Sequence, residues 1–144
     1  MALLNVFDVS GSAMSAQTVR LNTTASNIAN AQSVAEIPAD TYRAQHPVFA
    51  MALNNALQQG FSQSNDVGAT GVRVADVIES DAPLDMRYEP HHPYANDEGF
   101  VAYPNVSVVE EMANMISASR AFQLNVEVMN TARTLAERVL MLGE

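Results

Sequence analysis

The chain has 144 residues, one domain's worth, with a net charge of −9 and no Cys. The acidic balance excludes nucleic acid as a partner, because phosphate binding needs basic side chains. The missing Cys excludes a disulfide framework, thiol chemistry and cysteine metal sites, and no run is apolar and long enough to insert directly into a membrane.

All seven basic residues are Arg. Their exclusivity reads either as compositional bias or as a surface that lies largely in interfaces, where Arg is kept and Lys depleted. The charge is unevenly placed. Residues 34–106 hold ten acids against Arg43, Arg73 and Arg87, so the acidic character belongs to the middle, the solvated part. The opening MALLNVFDVSGSAMS has no basic n-region and carries Asp8 in its apolar part, a poor Sec signal. Leaving the cytoplasm would need a route without cleavage.

Residues 3–30 read as a helix. Leu4, Phe7, Gly11, Met14, Thr18, Leu21, Ala25 and Ile28 alternate by threes and fours, the seam of a coiled coil. The opposite face is small and uncharged, which suits close packing against further helices. Gly11 is the expected weak point and Asn30 a C-terminal stop. Residues 31–47 read as loop, since Ile37-Pro38 and His46-Pro47 forbid a continuing helix. Residues 48–58 fit a strand or a short helix, and 59–71 an exposed loop.

Residues 72–79 alternate and predict a strand, with Leu84–Glu89 as its partner across an Asp81-Ala82-Pro83 turn. Further turns fall at Pro90–Pro93 and Asn96–Gly99, and a short strand at Phe100–Tyr103. Asn105 or Ser107 can cap the final helix, and Glu110 stands at N3 of a capping box headed by Ser107.

That helix, 107–142, organises the chain. Val108, Met112, Met115, Ser119, Phe122, Val126 and Met129 form one stripe, with Ile116 beside it. At Arg133 the phase changes, and Val128, Ala132, Leu135, Val139 and Leu142 continue on a neighbouring face. A helix this long spans about 50 Å, so it should overhang a compact body. The first stripe is expected to seat against Leu4–Ile28, and the end to meet other subunits. The expected fold is mainly α with a small β-rich insertion. An N-terminal helix (1–33) and a C-terminal helix (107–144) form a coiled-coil-like core around an acidic body (34–106).

Two alternatives stay open on the seams. Asn22, Asn27, Asn30, Asn125 and Asn130 are either solvated amides or interhelical hydrogen bonds that fix register. Met112, Met115 and Met129 are either core fillers or adaptable contacts for non-identical neighbours. His91-His92 beside Asp97 and Glu98 reads as a turn, because adjacent His side chains rarely converge on a metal. Without a nucleophile elbow, a phosphate loop or a Cys nucleophile, no enzyme activity and no cofactor are expected.

Two stretches resemble a known family. Leu21–Ala31, LNTTASNIANA, resembles the N-terminal signature of bacterial flagellar rod, hook and hook-associated axial proteins. Asn105–Met112, then Ile116–Gln123 and Asn125-Val126, resembles their C-terminal signature, which includes Glu111, Arg120 and Asn125. Tyr88-Glu89-Pro90, His92-Pro93, Gly99-Phe100-Val101 and Pro104-Asn105-Val106 look like the proximal rod members. The family usually has a Thr-Pro-Gly-Tyr turn, whereas this chain reads Ala35-Glu36-Ile37-Pro38-Ala39-Asp40-Thr41-Tyr42.

The resemblance implies a structural subunit of the flagellar basal body. It would be exported by the flagellar type III apparatus without signal cleavage and polymerise through its terminal helices in the periplasmic rod, which transmits torque. The implied partners are copies of itself, other rod proteins, and the basal-body ring or export-gate adaptor. The rival reading is a soluble helical binding or export adaptor module.

Overall fold

The structure is a computed structural model that describes residues 2–52 and 71–141, with side chains described from residue 5 onward. The side chain of Leu4, the segment 53–70 with its expected loop, and Leu142 lie outside the described residues.

Two helices carry the chain. Helix α1 runs Ala2–Asn30 and helix α2 runs Val108–Met141. Helix α1 passes Gly11 unbroken. Helix α2 starts after Ser107, whose Oγ stands 3.5 Å from the Glu110 N–H and whose carbonyl accepts from Glu111 N–H at 2.9 Å. Glu110 and Glu111 in its first turn and Arg138 in its last complement the macrodipole.

The helices run antiparallel. Arg20 donates to Asn114 Oδ1 at 2.9 Å, and fourteen residues earlier Val6 lines a groove with Val128 and Ala132. By that register the last two turns of α2 project past the start of α1, leaving Val139, Leu140 and Met141 at 59%, 74% and 78% exposure.

Among the described residues between the helices lie four short strands, β1 Gln45–Ala52, β2 Gly71–Glu79, β3 Asp85–Tyr88 and β4 Phe100–Tyr103. They form two separate antiparallel pairs, β1–β2 and β3–β4. Residues 45–47, expected as loop, belong to β1. Pro47 fits there because among the described residues β1 pairs on one side only, and an edge strand tolerates a missing donor. The 48–58 run begins as strand, through Ala52. The expected pairing of 84–89 with 72–79 is corrected, because β2 pairs with β1 and β3 with β4. The cause lies at the end of β2. Ser80 N–H donates to Ala44 C=O at 2.8 Å, and the Ser80 and Ala82 carbonyls accept from Arg43 Nη1 at 3.1 and 3.2 Å. The chain is thereby led away from β2 before β3 begins.

The β3–β4 hairpin is closed by side chains. Tyr88 and Phe100 are cross-strand partners with rings 5.4 Å apart, edge to face. Arg87 lies 4.3 Å above the Tyr103 ring. Asn96 Oδ1 accepts from Glu98 N–H and Phe100 N–H, which shapes the turn that Gly99 completes at φ +83°. Partial burial first, then the hydrogen bond and charge of Glu89, push the Tyr103 phenol above its ordinary value, while Arg87 pulls it back.

The core is made of small residues. Ala16, Ala31, Ala44, Ala102, Ala118 and Ala132 are buried, and the largest wholly buried side chains are Val101 and Asn27. Ser12 Oγ accepts from Val72 N–H at 3.1 Å, and a Cβ on Gly71 would stand 3.1 Å from Ser12 Cβ and nearer still to its hydroxyl. Helix α1 and sheet β1–β2 therefore touch at Gly71.

Gly71→Ala should cost about 1–3 kcal/mol by forcing these two elements apart. Gly99→Ala should cost about 1–2 kcal/mol through its left-handed backbone. Denaturant unfolding of the purified chain checks both. Because the Tyr103 pKa is raised by folding, its contribution is complete below about pH 10 and is lost as pH rises through the folded value. Thermal unfolding should show an alkaline fall in stability that is smaller in Tyr103→Phe.

Candidate assembly surface

No catalytic or metal constellation emerges from these elements. Among the described residues no three His, Asp or Glu side chains gather to hold an ion. His92 Nδ1 instead accepts from Tyr94 N–H at 3.2 Å within its turn. The feature that stands out is apolar surface on the helices.

On α2 the fully buried positions are Glu111, Ala118 and Ala132, all on one face, and that face is turned to α1. The stripe named from periodicity lies beside it. Met115, Phe122 and Met129 are half-buried at its margin, while Val108, Met112 and Val126 stay exposed, as does Ile116. The helix pair closes on its small side because Ala118 and Ala132 of α2 and Ser10 and Ala16 of α1 let the backbones approach, which a stripe of Met and Phe does not.

Helix α1 behaves alike. Its buried positions are Ser10, Ala16, Thr23, Thr24 and Asn27, the small and mostly polar side. Phe7, Met14, Leu21 and Ile28 are half-buried, and Thr18 and Ala25 exposed. Gly11 opens onto free space, for a Cβ there would meet nothing within 4 Å.

The second half of α2 presents a further stripe. Leu124, Val128, Leu135 and Val139 are 47–62% exposed. With Val6 of α1 and Ala132, the residues Leu124, Val128 and Leu135 of this stripe line a groove of about 400 Å³. The faces at Met112–Ile116 and at Leu124–Val139 point in different directions from one helix.

The amides divide. Asn22 is exposed, and so is Arg120. Asn30 and Asn125 bond carbonyls of their own helices, Ser26 at 2.9 Å and Ala121 at 2.7 Å. Asn27 is wholly buried and serves β1, so it makes no bond to α2. Among the described residues the interhelical hydrogen bond is Arg20–Asn114, a pair the periodicity did not single out. A signal was present in Arg20, the one cation among residues 1–33, where the only other charged side chain is Asp8. Glu111 is 5% exposed, in a polar groove with Arg20, Asn114 and His46.

Comparison with known proteins identifies the family. Residues 7–34, nearly all within α1, match the family "Flagella basal body rod protein". Residues 97–142, covering β4 and α2, match "Flagellar basal body rod FlgEFG protein C-terminal". Flagellar basal-body rod protein FlgC of Escherichia coli O6:H1 is 48% identical over the full length of both chains. The chain belongs to the FlgC family of flagellar basal-body rod proteins. FlgC of Salmonella typhimurium is 46% identical, again over both full lengths. FlgC of Borreliella burgdorferi is 34% identical over 97% of each chain. The FlgC family is structural, and the chain is not an enzyme.

Gly11→Leu separates folding from assembly. The open space around Gly11 should leave the unfolding midpoint of the subunit unchanged or slightly raised, while rod formation falls if a FlgC-family neighbour packs there. Circular dichroism melting and counting of basal bodies in complemented cells give the two readings.

Proposed function

We propose that the chain is a structural subunit of the bacterial flagellar proximal rod, polymerising through its terminal helices into the drive shaft that carries torque across the periplasm. The full-length similarity to FlgC relatives carries this reading. The apolar helical faces left uncovered in the single chain support it.

Magnitudes explain why such a chain assembles as many copies or not at all. Full burial of an aliphatic side chain contributes about 1.5–3 kcal/mol. Leu124, Val128, Leu135 and Val139 are already about half covered, so covering the rest adds roughly 3–6 kcal/mol. Association costs about 4–15 kcal/mol in lost rigid-body freedom. One stripe therefore meets at most the low end of that cost, and covering several faces together gives a surplus. Two differently aimed faces on one helix suit head-to-tail contacts between copies, which extend into an open helical polymer where the rotation between copies does not close a ring.

In the assembled rod the seam residues Leu4, Phe7, Met14, Leu21 and Ile28 face neighbours or complete a coiled-coil-like pairing with the Val108–Met129 stripe. Torque passes because many shallow contacts resist shear together. The neighbours are copies of the same chain, other rod proteins and the ring or export-gate adaptor at the base. The chain reaches them through the flagellar type III apparatus without a cleaved signal. The acidic body of residues 34–106 faces outward.

The test is complementation of a strain lacking its own copy of the gene. Val128→Asp combined with Leu135→Asp should leave soluble expression and helix content intact and abolish swimming. Normal motility of that strain would sink the proposal.

A further inference from the structure

Two side-chain amides meet at one place in the chain. Asn27, one turn from the end of α1, accepts from the Gln45 N–H at 2.9 Å and donates to the Gln45 carbonyl at 2.8 Å. Its oxygen also accepts from the Tyr42 hydroxyl at 2.8 Å. Asn105, three residues before α2, accepts from the N–H of the preceding residue, Ala44, at 2.8 Å. Its NH2 group reaches across to the Ala82 carbonyl at 2.9 Å and the Ser80 carbonyl at 3.4 Å, just beyond β2.

We infer that Asn27 and Asn105 act together as one joint that locks both terminal helices to the β body at the dipeptide Ala44-Gln45. They are positioning residues. Bonding to both the N–H and the C=O of Gln45 imitates a rung of a β-ladder, so it sets angle as well as place, where a single bond would leave a pivot. All these bonds to Ala44 and Gln45 run to main chain, so no rotamer change at those residues loosens them. Asn27 is wholly buried and Ala44 is 4% exposed, so water cannot replace the lost partners. Neither helix can tilt against the body without straining the bonds made by the other. If the chain is the rod subunit proposed above, a load on the body then enters both helices together instead of bending one.

Amide hydrogen exchange on the full-length chain tests this, read at Ala44 and Gln45 in Asn27→Ala, Asn105→Ala and the double variant. A joint predicts crosstalk. Asn105→Ala should speed exchange at Gln45, whose own bonds it leaves in place, about tenfold or more, and Asn27→Ala should do the same at Ala44. The double variant should be within about threefold of the worse single. Exchange that rises only at the residue each side chain bonds, with effects that multiply in the double, overturns the joint. Should Asn27→Ala unfold the chain, Tyr42→Phe removes one bond to Asn27 and must still produce the crosstalk at Ala44. Crosstalk in the purified chain together with motile cells lacking the gene would leave the joint standing and remove the rod reading.

Discussion

The buried amide of Asn27 is the constraint on which the arrangement of the chain depends. A helix end and a strand start have no intrinsic reason to meet at a fixed angle. Here one side chain, wholly shielded from water, supplies the donor and acceptor that Gln45 would otherwise take from a neighbouring strand. An unpaired buried amide costs about 1–3 kcal/mol, so the strand must sit where the amide can reach it. The start of β1 is set by that contact, and β2 follows by pairing with β1. The β3–β4 hairpin is then free to close on its own aromatic and cation contacts.

The same economy of size runs through the interior. The buried faces of both helices are built of Ala, Ser, Thr and Asn with Glu111, and the large apolar side chains are left at the margin or outside. An ordinary domain of this length buries its Leu, Met and Phe first. The inversion makes sense for a subunit whose tight, small-residue contacts are internal and whose bulky contacts await neighbours. It also explains why, of the apolar stripe on α2, Met115, Phe122 and Met129 come to the margin of the face that meets α1 while Val108, Met112 and Val126 stay exposed. The periodicity reported where apolar surface lies and was silent about who covers it.

Charge is used sparingly and locally. Of the seven Arg residues, Arg20 bonds an amide across the helix pair, Arg43 holds two carbonyls, Arg87 lies over an aromatic ring beside Asp85, and Arg133 pairs with Glu137 one turn on. Arg87 uses the planar guanidinium in a way that a Lys ammonium cannot match, donating from Nε to Asp85 while its plane lies over the Tyr103 ring. That gives the absence of Lys a structural aspect inside the subunit. The exposed ion pairs contribute little by themselves, about 0–1 kcal/mol each.

The sequence by itself determined the two long helices, the strands at 72–79, 84–89 and 100–103 to within a residue or two, the turn at Gly99 and the family. These are local properties. Helical period, chain breakers and capping residues act within a few positions, and signature motifs are read as strings. Tertiary structure alone decided that β1 begins at Gln45, that β2 pairs with it, that Asn27 serves a strand instead of a helix, and that Ala118 rather than Met112 faces α1. Each of those depends on partners tens of residues away. An amide has no preferred partner until the chain folds over it, and an apolar stripe names no occupant until a surface arrives to cover it.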